Sequence, residues 1–243
     1  MKLQGPVDFC IYFRNVEETL RTINHAFKIG FNTIVISLTL KEEDDLKNIV
    51  SKAHEVKSII KKYNLENVFL RAHLMGSSIS WLKNCLRKIR YNFHVISAKP
   101  LTVDSLRFTG RDRRVDVIVY ENKNLSRFFD KSQMRLMKNT ETALEIQFNS
   151  LWGPSNYKGL IFNLRRTLSL AIRSNIPIIV SSGSSSLSNI KTPYQLVSLL
   201  TVLGIPYPYA KLAASTIPLS IIKRNIHRLS KKHVETGVDI VQA

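Results

Sequence analysis

Eight side chains next to apolar, strand-like runs have the types that acid–base, metal or nucleophilic chemistry needs: Asp8, His73, His94, Asp116, Glu121, Glu145, Ser181 and Ser182. Carboxylates and imidazoles that converge can hold a divalent cation and activate water against a phosphoester. On a parallel barrel such groups must come from the C-terminal strand ends. Asp8, His94 and Asp116 fall at strand beginnings, on the opposite rim from Glu121, so they cannot share a metal with it. His73 stands near the end of its strand with no second histidine beside it, which reads first as a packed or hydrogen-bonded residue. Glu121, Glu145 and His73 remain as the set that a metal-dependent phosphoesterase acting on nucleic acid could use. No G-x-S-x-G turn surrounds Ser181 and Ser182, and no acid or histidine follows at a suitable position, so loop hydrogen bonding is expected of them.

The charge balance is more informative. Lys and Arg number 36 against 18 Asp and Glu, a formal net charge of +18. From Ile146 to Val234 there is no Asp or Glu, while eleven Lys or Arg occur. A second basic run, from Lys83 to Arg114, holds nine cations against Asp104 and Asp112. One-signed surfaces of this kind attract polyanions. A heat-tolerant surface would bring matching glutamates, which are scarce. The basic residues are spread over several predicted helices and loops rather than along one amphipathic helix, which favours nucleic acid over a membrane. A protein-interaction scaffold with an acidic partner is the third class the charge allows. Trp81 and Trp152 sit beside apolar residues, so no base-stacking platform is expected of them.

The elements that carry these residues alternate. Short β-branched runs predict strands at 7–13, 33–38, 68–74, 94–98, 115–120, 143–148 and 177–181, with helices starting near Val16, Asp44, Ser78, Thr102, Asn124 and Asn156. Three more helices are predicted at 193–203, 209–215 and 219–228. Nearly continuous apolar strands imply a parallel sheet covered on both faces. The expected fold is α/β, an irregular TIM-like (β/α) barrel with extra C-terminal helices and no eighth strand, in a single domain over 1–243. A doubly wound sheet is the alternative, but no glycine follows the first strand, where Phe13-Arg14-Asn15-Val16 stands. With 44% hydrophobic residues the chain can build such a core. Cys10 and Cys85 are expected as structural thiols. Neither a signal peptide nor a membrane span is recognisable, so a soluble, cytoplasmic protein is expected.

Two families bear on the reading. Barrel phosphoesterases of the PHP class carry an H-x-H pair on their first strand, and the corresponding run here, Asp8-Phe9-Cys10-Ile11-Tyr12, has no histidine. The C-terminal third, by contrast, resembles protein component 3 of archaeal ribonuclease P, a relative of the thirty-kilodalton subunit of eukaryotic ribonuclease P and MRP. The residues that carry the resemblance are Ile179-Val180-Ser181-Ser182-Gly183, Lys191-Thr192-Pro193-Tyr194-Gln195-Leu196, Gly204-Ile205 and Ala210-Lys211-Leu212-Ala213-Ala214-Ser215, with weaker upstream matches in Val115-Asp116-Val117-Ile118 and Ala143-Leu144-Glu145-Ile146. Two positions depart from the family pattern. Phe148-Asn149-Ser150 replaces Leu-Arg-Pro, and Gln195 replaces an Asp at the start of a helix.

The resemblance implies a barrel without the metal site of its hydrolase cousins and with no bound cofactor. It implies partnership with the component 2 protein, generally as a dimer of heterodimers, with other ribonuclease P proteins, and with the ribonuclease P RNA. That RNA, using Mg²⁺, would remove the 5′ leader of precursor tRNA, while the protein neutralises phosphates. The expected RNA contacts are Arg107, Arg111, Arg113 and Arg114 around the fourth helix, Lys123 and Lys138 on strand-flanking loops, Arg165 and Arg166 in mid-helix, Lys191 and Lys211.

Overall fold

The computed structural model describes residues 3–120, 123–151, 157–230, 233–235 and 238–239. Seven strands alternate with helices: β1 Val7–Tyr12, α1 Val16–Lys28, β2 Thr33–Lys41, α2 Leu46–Lys62, β3 Val68–Gly76, α3 Ile79–Ile89, β4 Val95–Pro100, α4 Val103–Arg111, β5 Val117–Val119, α5 Lys131–Thr140, β6 Ala143–Gln147, α6 Tyr157–Arg173 and β7 Ile178–Ser181. Helices α7 Pro193–Val202, α8 Tyr207–Ala213 and α9 Thr216–Arg228 follow, then a small antiparallel pair, β8 His233–Glu235 and β9 Val238–Asp239. The seven strands pair in sequence order, each parallel to the next. No described helix is long and apolar enough to cross a membrane.

Strand parity sorts the core into two layers. Ile34, Ile36, Leu70, Ala72, Ile96, Ile118, Leu144 and Ile178 point outward into the main core beneath the helices. Residues one position away point inward: Val35, Phe69, Val95, Val117, Ala143 and Ile179 fill the N-terminal half of the barrel. Leu219, Ile221 and Ile222 of α9 join that inner cluster and so form its floor. Because successive strand side chains alternate faces, a chain apolar at both parities must be covered inside and out.

The floor is clamped electrostatically. Asp116, just ahead of β5, accepts the Ile96 N–H at 2.8 Å and faces Arg90 at 3.6 Å and Arg224 of α9 at 3.4 Å. Arg224 also reaches Glu141 at 2.8 Å, and Arg90 donates to Asn225 of α9 at 2.9 Å. Asp116 thus holds the last long helix against the barrel end.

Among the described residues, the barrel sheet closes with seven strands and no eighth. A single parallel bridge joins Ile11 to Ser184, with the Tyr12 N–H donating to the Ser184 carbonyl at 2.7 Å. The buried Asp8 carboxylate completes the seam by accepting the N–H groups of Ser182 at 3.0 Å and Cys10 at 3.3 Å. At the start of β1, Val7 donates to the carbonyl of Ala214, just past α8, at 2.9 Å. Loop residues after β7 and after α8 therefore satisfy backbone groups that another strand would otherwise pair.

The structure corrects some predicted boundaries. No α-helix starts at Asn124: residues Lys123–Phe128 form a 3-10 turn, and α5 begins only at Lys131, where the Asp130 side chain caps it by accepting the Gln133 N–H at 2.9 Å. Helices α8 and α9 start earlier than their apolar pattern alone indicated, at Tyr207 and Thr216. At α7 the Gln195 departure leaves the helix start intact. Thr192 accepts the Gln195 N–H while the Gln195 side chain accepts the Thr192 N–H, a reciprocal cap with Pro193 in the first turn. Cys10 and Cys85 are free and buried.

Candidate nucleic-acid interface

The middle of the barrel, beneath the C-terminal mouth where a parallel barrel assembles catalytic groups, is filled by an ion pair. Arg71, inward-facing on β3, donates to both oxygens of Glu145 on β6, at 2.9 and 2.5 Å, with both side chains fully buried. It also donates to Ser97 Oγ at 2.6 Å and to the Phe9 carbonyl at 3.0 Å, and Ser181 Oγ donates to Glu145 Oε1 at 2.6 Å. Four of the five guanidinium N–H groups are thus engaged, which is what a buried charge requires.

His73 lies one pleat above, its Nδ1 3.0 Å from Ser97 Oγ and its Nε2 3.4 Å from the Tyr12 hydroxyl. Burial, then the charges of Arg71 and Lys99, hold its pKa well below that of an ordinary histidine, so the ring is neutral. Both Glu145 oxygens already accept hydrogen bonds, and the Arg71 guanidinium lies beside His73 as well. Glu121 lies outside the described residues. Among those described, no three His, Cys, Asp or Glu side chains group as metal ligands.

The remaining candidates for chemistry have structural partners. His94, just ahead of β4, accepts the Leu70 N–H through Nδ1 at 3.1 Å, and burial pushes its pKa down to about 4. Ser182 is buried and its Oγ accepts the Lys191 N–H at 3.0 Å. Asn149 donates to the Asn189 carbonyl at 2.8 Å, tying the segment after β6 to the loop after β7. Trp81 packs partly buried against the main core; Trp152 lies outside the described residues.

The ten basic candidates do not gather on one patch. Arg107 is committed within the fold: it forms a two-pronged pair with Asp130 at 2.9 and 2.7 Å and also reaches Gln133, bracing α4 against the cap of α5. Arg114 is similarly held by Asp112, at 2.9 and 2.7 Å. Arg111 and Arg113 are exposed at the end of α4, as is Lys138, which sits in the last turn of α5 rather than on a loop. Lys191 lies at the opposite end of the barrel, its ammonium 5.1 Å from the Phe148 ring centroid. Lys211 is exposed on α8. The side chain of Lys123 lies outside the described residues.

Arg165 and Arg166 are both exposed on α6, and Arg166 leads to a feature that charge counting along the chain does not show. Between α5 and α6 runs a groove of about 360 Å³, lined by Phe129, Lys131, Arg166, Ser169, Leu170 and Arg173. Arg166 and Arg173 are seven residues apart, two turns of one helix face, with Ser169 between them. Asp130 is the one carboxylate in the lining, and both its oxygens already serve Arg107. Three cations therefore face one groove with no anion left to balance them. Phosphates fit that pattern, because cations on a rigid helix face can each meet a phosphate oxygen while a hydroxyl donates beside them.

Known proteins resemble this chain over nearly its whole length. The family model for RNase P subunit p30 matches residues 5–230. Ribonuclease P protein component 3 of Methanosarcina barkeri is 24% identical over 242 residues, covering 97% of this chain and 95% of that protein. The same component from Methanocaldococcus jannaschii is 27% identical over 192 residues, covering 77% of this chain and 81% of its own length. A chain in a cryo-EM structure of archaeal ribonuclease P with mature tRNA superposes on this fold with a TM-score of 0.80, at 22% identity, over 98% of both chains. With a family match running from the segment before β1 to the end of α9, this chain belongs to the RNase P subunit p30 family.

Proposed function

We propose that this chain is a protein subunit of ribonuclease P that binds the enzyme's RNA through the basic flank of α4, α5 and α6, with the α5–α6 groove as its centre. The observation that carries the reading is the set Lys131, Arg166 and Arg173 on one groove whose single carboxylate is already paired. Family membership supplies the enzyme, and the relatives named component 3 supply the place within it. Neutralised phosphates let the RNA hold a fold that its own charge opposes, and so bind Mg²⁺ and substrate at lower salt. Arg111, Arg113, Lys138 and Arg165 extend the binding surface on the same flank. Lys191 and Lys211 belong to other faces, Arg107 braces α4 against the start of α5, and Arg114 is held locally by Asp112.

In this reading the chain is non-catalytic, binds no metal of its own, and leaves cleavage of the precursor-tRNA leader to the RNA and its Mg²⁺. Its protein partner is component 2, in a dimer of heterodimers. The non-catalytic role is supported by Glu145, whose two oxygens both accept from Arg71 and so meet a guanidinium rather than a metal.

The test is RNA affinity measured against salt. Log affinity for ribonuclease P RNA falls linearly with log salt in the wild type, and Arg166→Ala with Arg173→Ala lowers the slope by roughly 1 to 2 units, about one for each phosphate left without its arginine. An affinity insensitive to salt would point instead to a protein scaffold. Cleavage of a phosphodiester by the chain alone, abolished by chelator and by His73→Ala, would point to a metal phosphoesterase.

A further inference from the structure

A second site lies away from the basic flank, where the segment leading into β1 meets α7 and α8. A cleft of about 330 Å³ opens there, lined by Pro6, Tyr194, Val197, Tyr207, Lys211 and Ala214 among others. Its floor is core material, since Val197 and Ala214 are buried. Its walls are not: Tyr194 is 73% exposed and Tyr207 52%. Single exposed aromatics need no explanation, but two on one apolar cleft leave a sizeable hydrophobic surface wet. The cleft is within the roughly 300–1,000 Å³ of small-ligand sites. The Lys211 ammonium stands 5.5 Å from the Tyr207 ring centroid, so the one charge in the lining is a cation beside an aromatic face. No carboxylate lines the cleft, and α7 and α8 lie wholly within the acid-free stretch from Ile146 to Val234.

We propose that this cleft receives one unpaired nucleotide of the partner RNA, its base against Tyr194 and Tyr207 and its phosphate at Lys211. A nucleotide is the occupant that offers a flat π-face and a negative charge a few ångströms apart, which is what the walls and rim are built to meet. An apolar protein side chain would use the floor and the rings but leave Lys211 without a counter-charge. Single-stranded segments of a folded RNA supply such bases, because only unstacked bases can enter an aromatic cleft. The cleft would read shape and stacking rather than base identity, since every base has a π-face. It would also fix the protein on the RNA at a second point, apart from the α5–α6 groove. Sequence order does not show this platform, because the two tyrosines are thirteen residues apart and are brought together by the packing of α7 on α8.

This inference rests on the RNA-binding reading above, and chemical probing at nucleotide resolution separates the two. The probe is transcribed ribonuclease P RNA, mixed with the full chain and its protein partner. Wild type protects an unpaired nucleotide that Tyr207→Ala and Tyr194→Ala leave reactive and that Tyr207→Phe protects again. The alanine variants lower affinity roughly 5- to 150-fold, the span expected for removing one base–aromatic stack. Both tyrosines are exposed, so the variants should fold, and retention of the wild-type unfolding midpoint checks this. If the alanine variants bind RNA with every protection unchanged, the cleft does not hold a nucleotide, although the RNA-binding reading stands. If they instead fail to bind the protein partner, the cleft is a protein interface and the proposal is wrong. If wild type itself fails to bind the RNA, both readings fall together.

Discussion

Arg71 and Glu145 cross the barrel from opposite strands, and each leaves the other stranded if it is removed. Arg71→Met is expected to destabilise the fold by about 3–5 kcal/mol, because Glu145 then sits charged and unpaired in a dry core. Replacing both with apolar residues of similar volume should cost less than either single change, as urea unfolding of the three variants would show. A pair deletion as costly as the sum of its parts would mean the ion pair is not the coupled unit its geometry indicates. Asp8 carries a pH signature. Burial pushes its pKa up to about 6 from 3.8. Between those values the folded chain keeps a proton that the unfolded chain has released. The stability owed to protonated Asp8 is therefore complete below about pH 3.8 and is lost as pH rises through about 6. Asp8→Asn stays neutral throughout, so its stability relative to wild type should climb by at most about 1.4 kcal/mol per pH unit across that window and level off above it. A difference that stays constant from pH 4 to 8 would contradict a buried, titrating Asp8.

At the scale of elements, the strands were legible because β-branched runs bounded by caps leave few alternatives, and all seven predicted strands exist within two or three residues of their expected ends. The 3-10 turn at Lys123–Phe128 was not, since Leu125 within it and Phe129 just past it have helical spacing and are both buried. The pair β8–β9 carried no signal, being three and two residues long. Arg71 was overlooked although its signal was present: a charge between Phe69 and His73 on one face of an otherwise apolar strand has its only answering acid in Glu145. The basic candidates were recognisable as a class but not by role, because sequence cannot tell an arginine paired across two helices from one facing water. Arg107, paired across two helices, and Arg166, exposed on α6 with one long bond to the Ser126 carbonyl at 3.4 Å, separate those roles. Arg107→Ala should lower the unfolding free energy by about 1 kcal/mol by removing the α4–α5 brace and leave the salt slope of RNA binding unchanged. Arg166→Ala should do the reverse. Thr192→Ala, which removes the cap of α7, is expected to cost about 1 kcal/mol, read from denaturant unfolding.

The whole molecule is a barrel whose floor is sealed by α9 and whose centre is occupied by an ion pair, in a chain with a net charge of +18. In the proposed role, binding would fall to the outside and stability to the inside, as would suit a subunit that shapes an RNA. The α5–α6 groove and the tyrosine-walled cleft are built from different helices, so one RNA could be gripped at two points and its fold held between them. The most direct measurement is precursor-tRNA cleavage at modest Mg²⁺ with four samples: this chain alone, the ribonuclease P RNA alone, the RNA with component 2, and the RNA with both proteins. A non-catalytic subunit gives no cleavage alone and marked stimulation when both proteins join the RNA, and the stimulation is reduced by Arg166→Ala with Arg173→Ala. Cleavage by the chain alone, or stimulation indifferent to those two arginines, would contradict it.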